Sequence, residues 1–92
     1  MTVTLTSRLA LDPHARFRRF QEEGVVVQQT TAEALVVNDT AARLLELADG
    51  KHTLADCAAA IGAEFDADVS MIERDVLAFA EELVVAGVTT IV

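Results

Sequence analysis

Short apolar runs separated by polar turns make up most of the first half of the chain. The runs at 25–27 and 34–37 are rich in the β-branched residues that suit a pleated strand, and the basic segment from Arg16 to Gln21, with Phe17 and Phe20, fits an edge strand. The turns between the runs are short, at 22–24 and 30–32, and parallel neighbours would need a long crossover instead. The pattern therefore predicts an antiparallel meander of three strands, at 16–21, 25–29 and 33–37.

From Asn38 onward the apolar residues recur at helical spacing. Hydrogen-bond acceptors stand at the start of each helical segment: Asn38, Asp39 or Thr40 for the first, Thr53 with Asp56 in a capping box for the second, and Asp66, Asp68 or Ser70 for the third. Gly50 and Gly87 can each end a helix in the left-handed conformation. The sequence thus predicts three helices, at about 39–48, 53–63 and 68–86, and a brief extended tail at 88–92.

The third helix has a wider apolar face than packing on one surface requires. One set of side chains forms a single stripe, and a second set on its flank widens the apolar arc to about 180°. Two interpretations stay open: the helix packs between two other helices, or the flank lines a groove for a ligand. The stripe is Ile72, Val76, Phe79, Leu83 and Ala86, and the flank is Leu77, Ala80 and Val84.

Length and charge restrict the classes of function. With 92 residues the chain forms one domain over 1–92, in which 1–13 show weak patterning and are expected to be a loosely ordered N-terminal arm. The net charge is −8, and seven acids against Arg74 alone lie between Glu64 and Glu82. Such a domain should repel nucleic acid, because proteins that bind nucleic acid need clustered Lys and Arg to neutralise the phosphates. The acids form either a solvated face or a rim that attracts a basic partner.

Catalytic and metal-binding motifs are missing from the sequence. His14 and His52 have no Cys or carboxylate at metal-ligand spacing, and the glycines form no phosphate cradle. Cys57 is the only cysteine and fits a buried helix position. We therefore expect a binding protein rather than an enzyme, without a metal or cofactor. We also expect a cytoplasmic location, since neither a membrane span nor a secretory signal is evident.

Four motifs resemble one known family. Val36 to Ala42 resembles the LNxTA segment of PqqD-like proteins, also called RiPP recognition elements, and Leu45 to Gly50 resembles their IL-x-L-x-DG motif. Thr53 to Asp56 lies where the family has T-[VL]-x-[ED]-I, and Asp75 to Val88 resembles its DVxxFLxxLxxxGL ending. The likeness covers about residues 14–90 with the spacings preserved.

The chain departs from the family pattern at three places. Cys57 replaces an aliphatic residue, Ala80 replaces a leucine, and the PER triplet of many PQQ chaperones is not cleanly present over 31–34. These departures bear on the PQQ pathway more than on membership of the family.

The resemblance implies an α+β, winged-helix-like domain, in which a three-stranded antiparallel sheet is followed by three helices. It also implies a non-catalytic peptide chaperone. Such a protein binds the leader of a ribosomally made precursor as an added strand, between the third strand and the third helix, and presents it to a modifying enzyme. That enzyme would be a radical SAM protein, a cyclase or a protease. The peptide-binding residues so implied are Glu33, Ala34, Leu35, Val36, Val37, Glu73, Arg74, Leu77, Ala80, Glu81 and Val84.

Two other functions stay open at this stage. The chain can instead be a docking or regulatory subunit of a biosynthetic enzyme that touches no peptide. A winged-helix nucleic-acid binder shares the implied topology, although the charge opposes it. Exposed strand edges also make a homodimer possible.

Overall fold

The structure, a computed structural model, describes residues 3–92 and contains six strands and three helices in that range. Their order along the chain is β1 (Arg8–Leu11), β2 (Ala15–Phe20), β3 (Glu23–Gln28), β4 (Glu33–Val37), α1 (Asp39–Leu47), β5 (Asp49–Thr53), α2 (Leu54–Glu64), α3 (Val69–Val85) and β6 (Thr89–Ile91).

Three of the strands form the predicted meander. β3 pairs antiparallel with β2 on one side and with β4 on the other. Gly24, Val26 and Gln28 of β3 are buried, while the residues between them are half-buried on the opposite face. Gly24 leaves no room for a side chain, because a Cβ atom there would lie 2.6 Å from Cε1 of Phe17. The three predicted strands are confirmed, with shifts of one or two residues at some ends.

A second antiparallel sheet, in the order β5-β1-β6, corrects the sequence-based description. The expectation of a loose arm over 1–13 is wrong for Arg8–Leu11, which form the central strand of this sheet. Residues 1 and 2 lie outside the described range. β1 escaped prediction because its partners are remote in sequence: Arg8 lies opposite Thr53, and Leu11 lies opposite Thr89. β6 confirms the extended tail.

The strand β5 was also missed, since its sequence DGKHT has no apolar residue and reads as a loop. Gly50 adopts φ +79° within this strand and does not end α1, which stops at Leu47 with Ala48 as its C-cap. The winged-helix-like description therefore accounts for β2–β4 and the three helices but omits a second three-stranded sheet.

The three predicted helices are confirmed, and local hydrogen bonds begin each of them. The side chain of Asn38 accepts from the backbone N–H of Ala41, at 2.9 Å. Thr53 and Asp56 form the capping box, and Asp68 accepts from the N–H of Ser70. These acceptors satisfy amide groups that a helix start leaves unpaired.

The core lies between the meander and the helices. α1 packs on β3, and α3 packs on α2, α1 and β6. Val26 of β3, Leu44 of α1, Ile61 of α2 and Val76 of α3 are each fully buried in it. α1 therefore lies over β3, the middle strand of the sheet, and also contacts β4.

Two arginines hold α1 in place. Arg19 of β2 donates to Asp39 at 2.8 Å and to Glu46 at 3.1 Å, which joins the sheet to both ends of α1. Arg43 of α1 donates to Glu64 at the end of α2, with two contacts of 2.8 Å. The hydrogen bonds from Arg43 lower the pKa of the Glu64 carboxyl below its ordinary value of 4.5.

The Arg43–Glu64 pair should make folding stability depend on acid. A carboxylate whose pKa is lowered by folding stabilises the protein above its ordinary pKa, and this stabilisation is lost as the pH falls through the lowered folded value. We expect Arg43→Met to reduce the free energy of unfolding at pH 7 but to have a smaller effect at pH 3. Urea unfolding at both pH values measures the free energy of unfolding of the variant and of the wild type.

Arg74→Met is the matched control, because Arg74 is exposed and forms no ion pair with another residue of the 3–92 range. It should change stability little at either pH. An equal loss for Arg43→Met at pH 7 and pH 3 would contradict the role of the pair.

Candidate functional site

The strand β4 is an edge strand with an unpaired side. Among the strands of the 3–92 range it pairs only with β3, so its outer row of backbone N–H and C=O groups has no strand partner there and can accept another strand. Glu33, Ala34, Leu35 and Val36 are all exposed and Val37 is half-buried. An open edge of this kind offers main-chain hydrogen bonds that do not depend on the partner's sequence.

The side chain of Leu35 shows that the edge borders a gap. Leu35 lies opposite Val26 in the register and so points to the same face of the sheet. Val26 is fully buried, yet Leu35 remains 36% exposed. An inward-facing leucine with that exposure indicates that the described part of the chain covers this side of β4 only in part.

A cleft of about 200 Å³ opens beside the C-terminal end of β4. Its walls are mainly apolar, with one charged group, Glu82, from α3. The lining residues are Val36, Val37, Asn38, Ala41, Phe79, Glu82 and Leu83.

A smaller hollow of about 90 Å³ lies beside the N-terminal end of the same strand. It is lined by Gln28, Glu33, Ala34, Leu35, Ala86 and Val88. Phe79, Glu82 and Leu83 of α3 and its C-cap residue Ala86 have the spacing of one helix face. The two cavities thus lie along one line, which we call the β4–α3 groove: the β4 edge forms one wall and this face of α3 forms the other.

A buried glutamine fixes the narrow end of the groove. The amide of Gln28 donates to the backbone carbonyl of Gly87 at 2.8 Å and to the Asp12 carboxylate at 3.1 Å. Its oxygen accepts from the N–H of Thr30. The hydrogen bond from Gln28 lowers the pKa of Asp12. Gln28 therefore ties the turn before β4 to the segment after α3, and so sets the distance between the two walls.

The strand half of the predicted site lies along this groove. All five predicted residues of β4, from Glu33 to Val37, line one of its two cavities. Whether a peptide contacts them stays a prediction.

The helix half of the predicted site does not line the two cavities of the groove. Ala80 is 0% exposed and belongs to the core, and Leu77 and Val84 are half-buried against it. The helix residues predicted to bind the peptide do not line either cavity: Glu73, Arg74, Leu77, Ala80, Glu81 and Val84. Other residues of α3 and of the turn after it form that wall. The lining residues that the sequence-based prediction did not include are Gln28, Asn38, Ala41, Phe79, Glu82, Leu83, Ala86 and Val88.

This difference between the prediction and the lining of the groove has a physical cause. The sequence showed a wide apolar face on α3 but contained no sign of which part meets α2. We assigned Phe79, Leu83 and Ala86 to the core and the flank to the groove, whereas Ala80 belongs to the core and Phe79 and Ala86 are half-buried at the groove. The small size of Ala80 was the available signal, because a small residue allows close helix packing.

Neither a metal centre nor a membrane span is found in the part of the chain that the structure describes. Within 3–92, no three His, Cys, Asp or Glu side chains are grouped so that they could hold a metal ion. None of the helices in that range is both long and apolar enough to cross a bilayer. The chemistry of the groove is thus that of an edge strand, apolar walls and a few carboxylates.

Comparison with known families identifies the chain. Residues 23–88 match the family described as "Coenzyme PQQ synthesis protein D (PqqD)". The chain belongs to the PqqD family. This confirms the resemblance inferred from the four motifs, and the matched region runs from the start of β3 to the residue before β6.

A solved structure has the same fold as this PqqD-family chain. It is "TbiB1 in Complex with the TbiA(beta) Leader Peptide", with a TM-score of 0.76 over 87% of this chain and 93% of that chain. The sequence identity is 19%, so the likeness concerns the fold. Among curated proteins the comparison finds no match.

Proposed function

We propose that this PqqD-family protein is a non-catalytic peptide chaperone. It binds the leader of a ribosomally made precursor peptide in the β4–α3 groove, where the leader adds as a strand to β4. It then presents the precursor to a modifying enzyme, such as a radical SAM protein, a cyclase or a protease. The observation that carries this proposal is the open β4 edge, with the half-exposed Leu35 facing a groove between that edge and α3.

Three further facts support a strand as the ligand. The groove runs along the whole of β4, which matches an extended segment rather than a compact small molecule. Its walls supply apolar pockets on both sides of Leu35, where alternate side chains of a strand would point. The solved structure with the same fold is a complex with a leader peptide.

The other free edge of the same sheet is a poorer acceptor. β2 carries Arg16, Arg18 and Arg19, and charged side chains along an edge discourage strand pairing. We therefore assign the leader to β4.

A titration tests the proposal. The labelled leader half of the precursor encoded near this gene should bind saturably, with a dissociation constant of roughly micromolar or lower. Fluorescence anisotropy measures the binding, and a scrambled peptide of the same composition is the control. The absence of saturable binding by the leader would refute the function.

Amide hydrogen exchange tests the mode of binding. Strand addition should slow exchange in β4, because its free amides acquire partners, and should leave β2 unchanged. Protection of β2 instead, or of neither edge, would mean that the peptide binds in another way.

A further inference from the structure

The outer face of the β2-β3-β4 sheet is a second surface of unusual composition. Every side chain on it is exposed or half-buried, because the helices pack on the opposite face. Phe20 is 55% exposed and Val36 is 69% exposed. The register sets these side chains in rows across the strands: Arg18 with Val25 and Val36, Arg16 with Val27 and Ala34, and Phe20 with Glu23.

This face contains a broad hollow of about 480 Å³. Its floor is apolar, from Val25 and Val27, and Phe20 closes one end. Arg16 and Arg18 stand at its β2 side. Exposed apolar area flanked by polar groups is typical of protein interaction sites.

The charge of the face is opposite to that of the chain. The whole chain has a net charge of −8, yet this face carries two arginines and a single carboxylate, Glu23. Arg16 donates only to the backbone carbonyls of Pro13 and Ala15 within the 3–92 range, and Arg18 forms no ion pair there. Their charges are therefore available to an external carboxylate.

The charges also restrict what binds there. Two copies packed face to face would bring four arginines together, which is unfavourable. Nucleic acid and anionic membranes attract clusters of basic residues, and two arginines on a chain of this net charge do not form one. An apolar protein surface edged with Asp or Glu fits best.

The position of the face relates it to the groove. Val36 lies on this face and also lines the cleft at the C-terminal end of β4. A strand added to β4 would therefore extend the same face by one more strand. A protein seated on β2 and β3 would then lie beside the bound peptide. This step rests on the proposed function.

We propose that the modifying enzyme docks on the outer sheet face, through an apolar patch edged with carboxylates that meets Phe20, Val25, Val27, Arg16 and Arg18. The protein would then bind the precursor at β4 and the enzyme on the adjoining face at the same time.

The test uses the purified enzyme encoded beside the precursor gene and the full chain. Biolayer interferometry should show that Arg18→Glu and Phe20→Ser each weaken enzyme binding by at least ~10-fold, which corresponds to about 1.4 kcal/mol and is within the range of an interface anchor. Leader affinity should stay within about twofold of the wild type, because neither side chain lines the groove.

The matched controls are Arg74→Glu and Val85→Ser on α3, which make the same kinds of change at exposed positions. Both should bind the enzyme as the wild type does.

The inference is overturned if the sheet-face variants bind the enzyme normally, if the control variants weaken enzyme binding equally, or if the wild type does not bind the enzyme. It is also overturned if Arg18→Glu instead abolishes a dimer, or binding to duplex DNA or anionic vesicles. A failed leader titration with intact enzyme docking would refute the proposed function alone.

Discussion

Leu35→Asp should weaken leader binding by at least ~10-fold. Leu35 faces the β4–α3 groove with 36% of its surface exposed, so a bound strand would cover the rest of its side chain. Full burial of a leucine contributes about 1.5–3 kcal/mol, of which about a third would be gained on binding. An aspartate at this position would lose that contribution and add a charge that must be desolvated.

Anisotropy titration of the labelled leader measures the effect. Val85→Asp makes a similar apolar-to-acid change on α3, at a side chain that is 85% exposed and lies outside the groove. It should leave the affinity unchanged. Circular dichroism should show both variants folded, since neither replaced side chain is fully buried. Normal leader affinity for a folded Leu35→Asp would exclude this groove as the binding site.

Local features of the fold could be predicted from the sequence because neighbouring residues determine them. Asn38 and Thr53 cap the helices that directly follow them, and short turns leave β2, β3 and β4 no arrangement other than a meander. The strand side of the candidate site depends on the same local pattern. The five residues from Glu33 to Val37 line the two cavities of the groove, and their contact with a peptide stays a prediction.

Features that depend on remote contacts could not be predicted. β5 has the sequence of a loop and becomes a strand only because β1 lies beside it. The face that α3 turns to the groove is set by how α3 packs on α2, and a helical periodicity does not encode that choice. Ala80 and Phe79 are adjacent in sequence, yet Ala80 is fully buried in the core while Phe79 lines the groove.

The structure also links the stability of the core to the geometry of the groove. α1 packs on the middle of the sheet through buried residues, and Ala41 at its start forms part of the larger cleft. Arg19 and Arg43 hold the same helix through ion pairs. A shift of α1 on the sheet would thus move Ala41, and with it one wall of the cleft at the C-terminal end of β4, relative to that strand.

Leu44→Ala should be the most destabilising of these substitutions. Leu44 is 0% exposed and packs in the core between the sheet and the helices. Removing a fully buried leucine typically costs about 2–5 kcal/mol, from lost burial and the cavity left behind. Small domains have only about 5–15 kcal/mol of stability, so the loss is a large fraction of the total.

Urea unfolding and thermal melting measure this loss, and the melting temperature should fall by at least ~10 °C. Val85→Ala is the control, because its exposed side chain should change the free energy of unfolding by less than about 0.5 kcal/mol. Saturating leader should raise the melting temperature of both variants, since a ligand that binds only the folded state stabilises it. A Leu44→Ala variant as stable as the control would mean that α1 does not pack on the sheet as the structure has it. The position of Ala41, which lines the groove, would then be wrong as well.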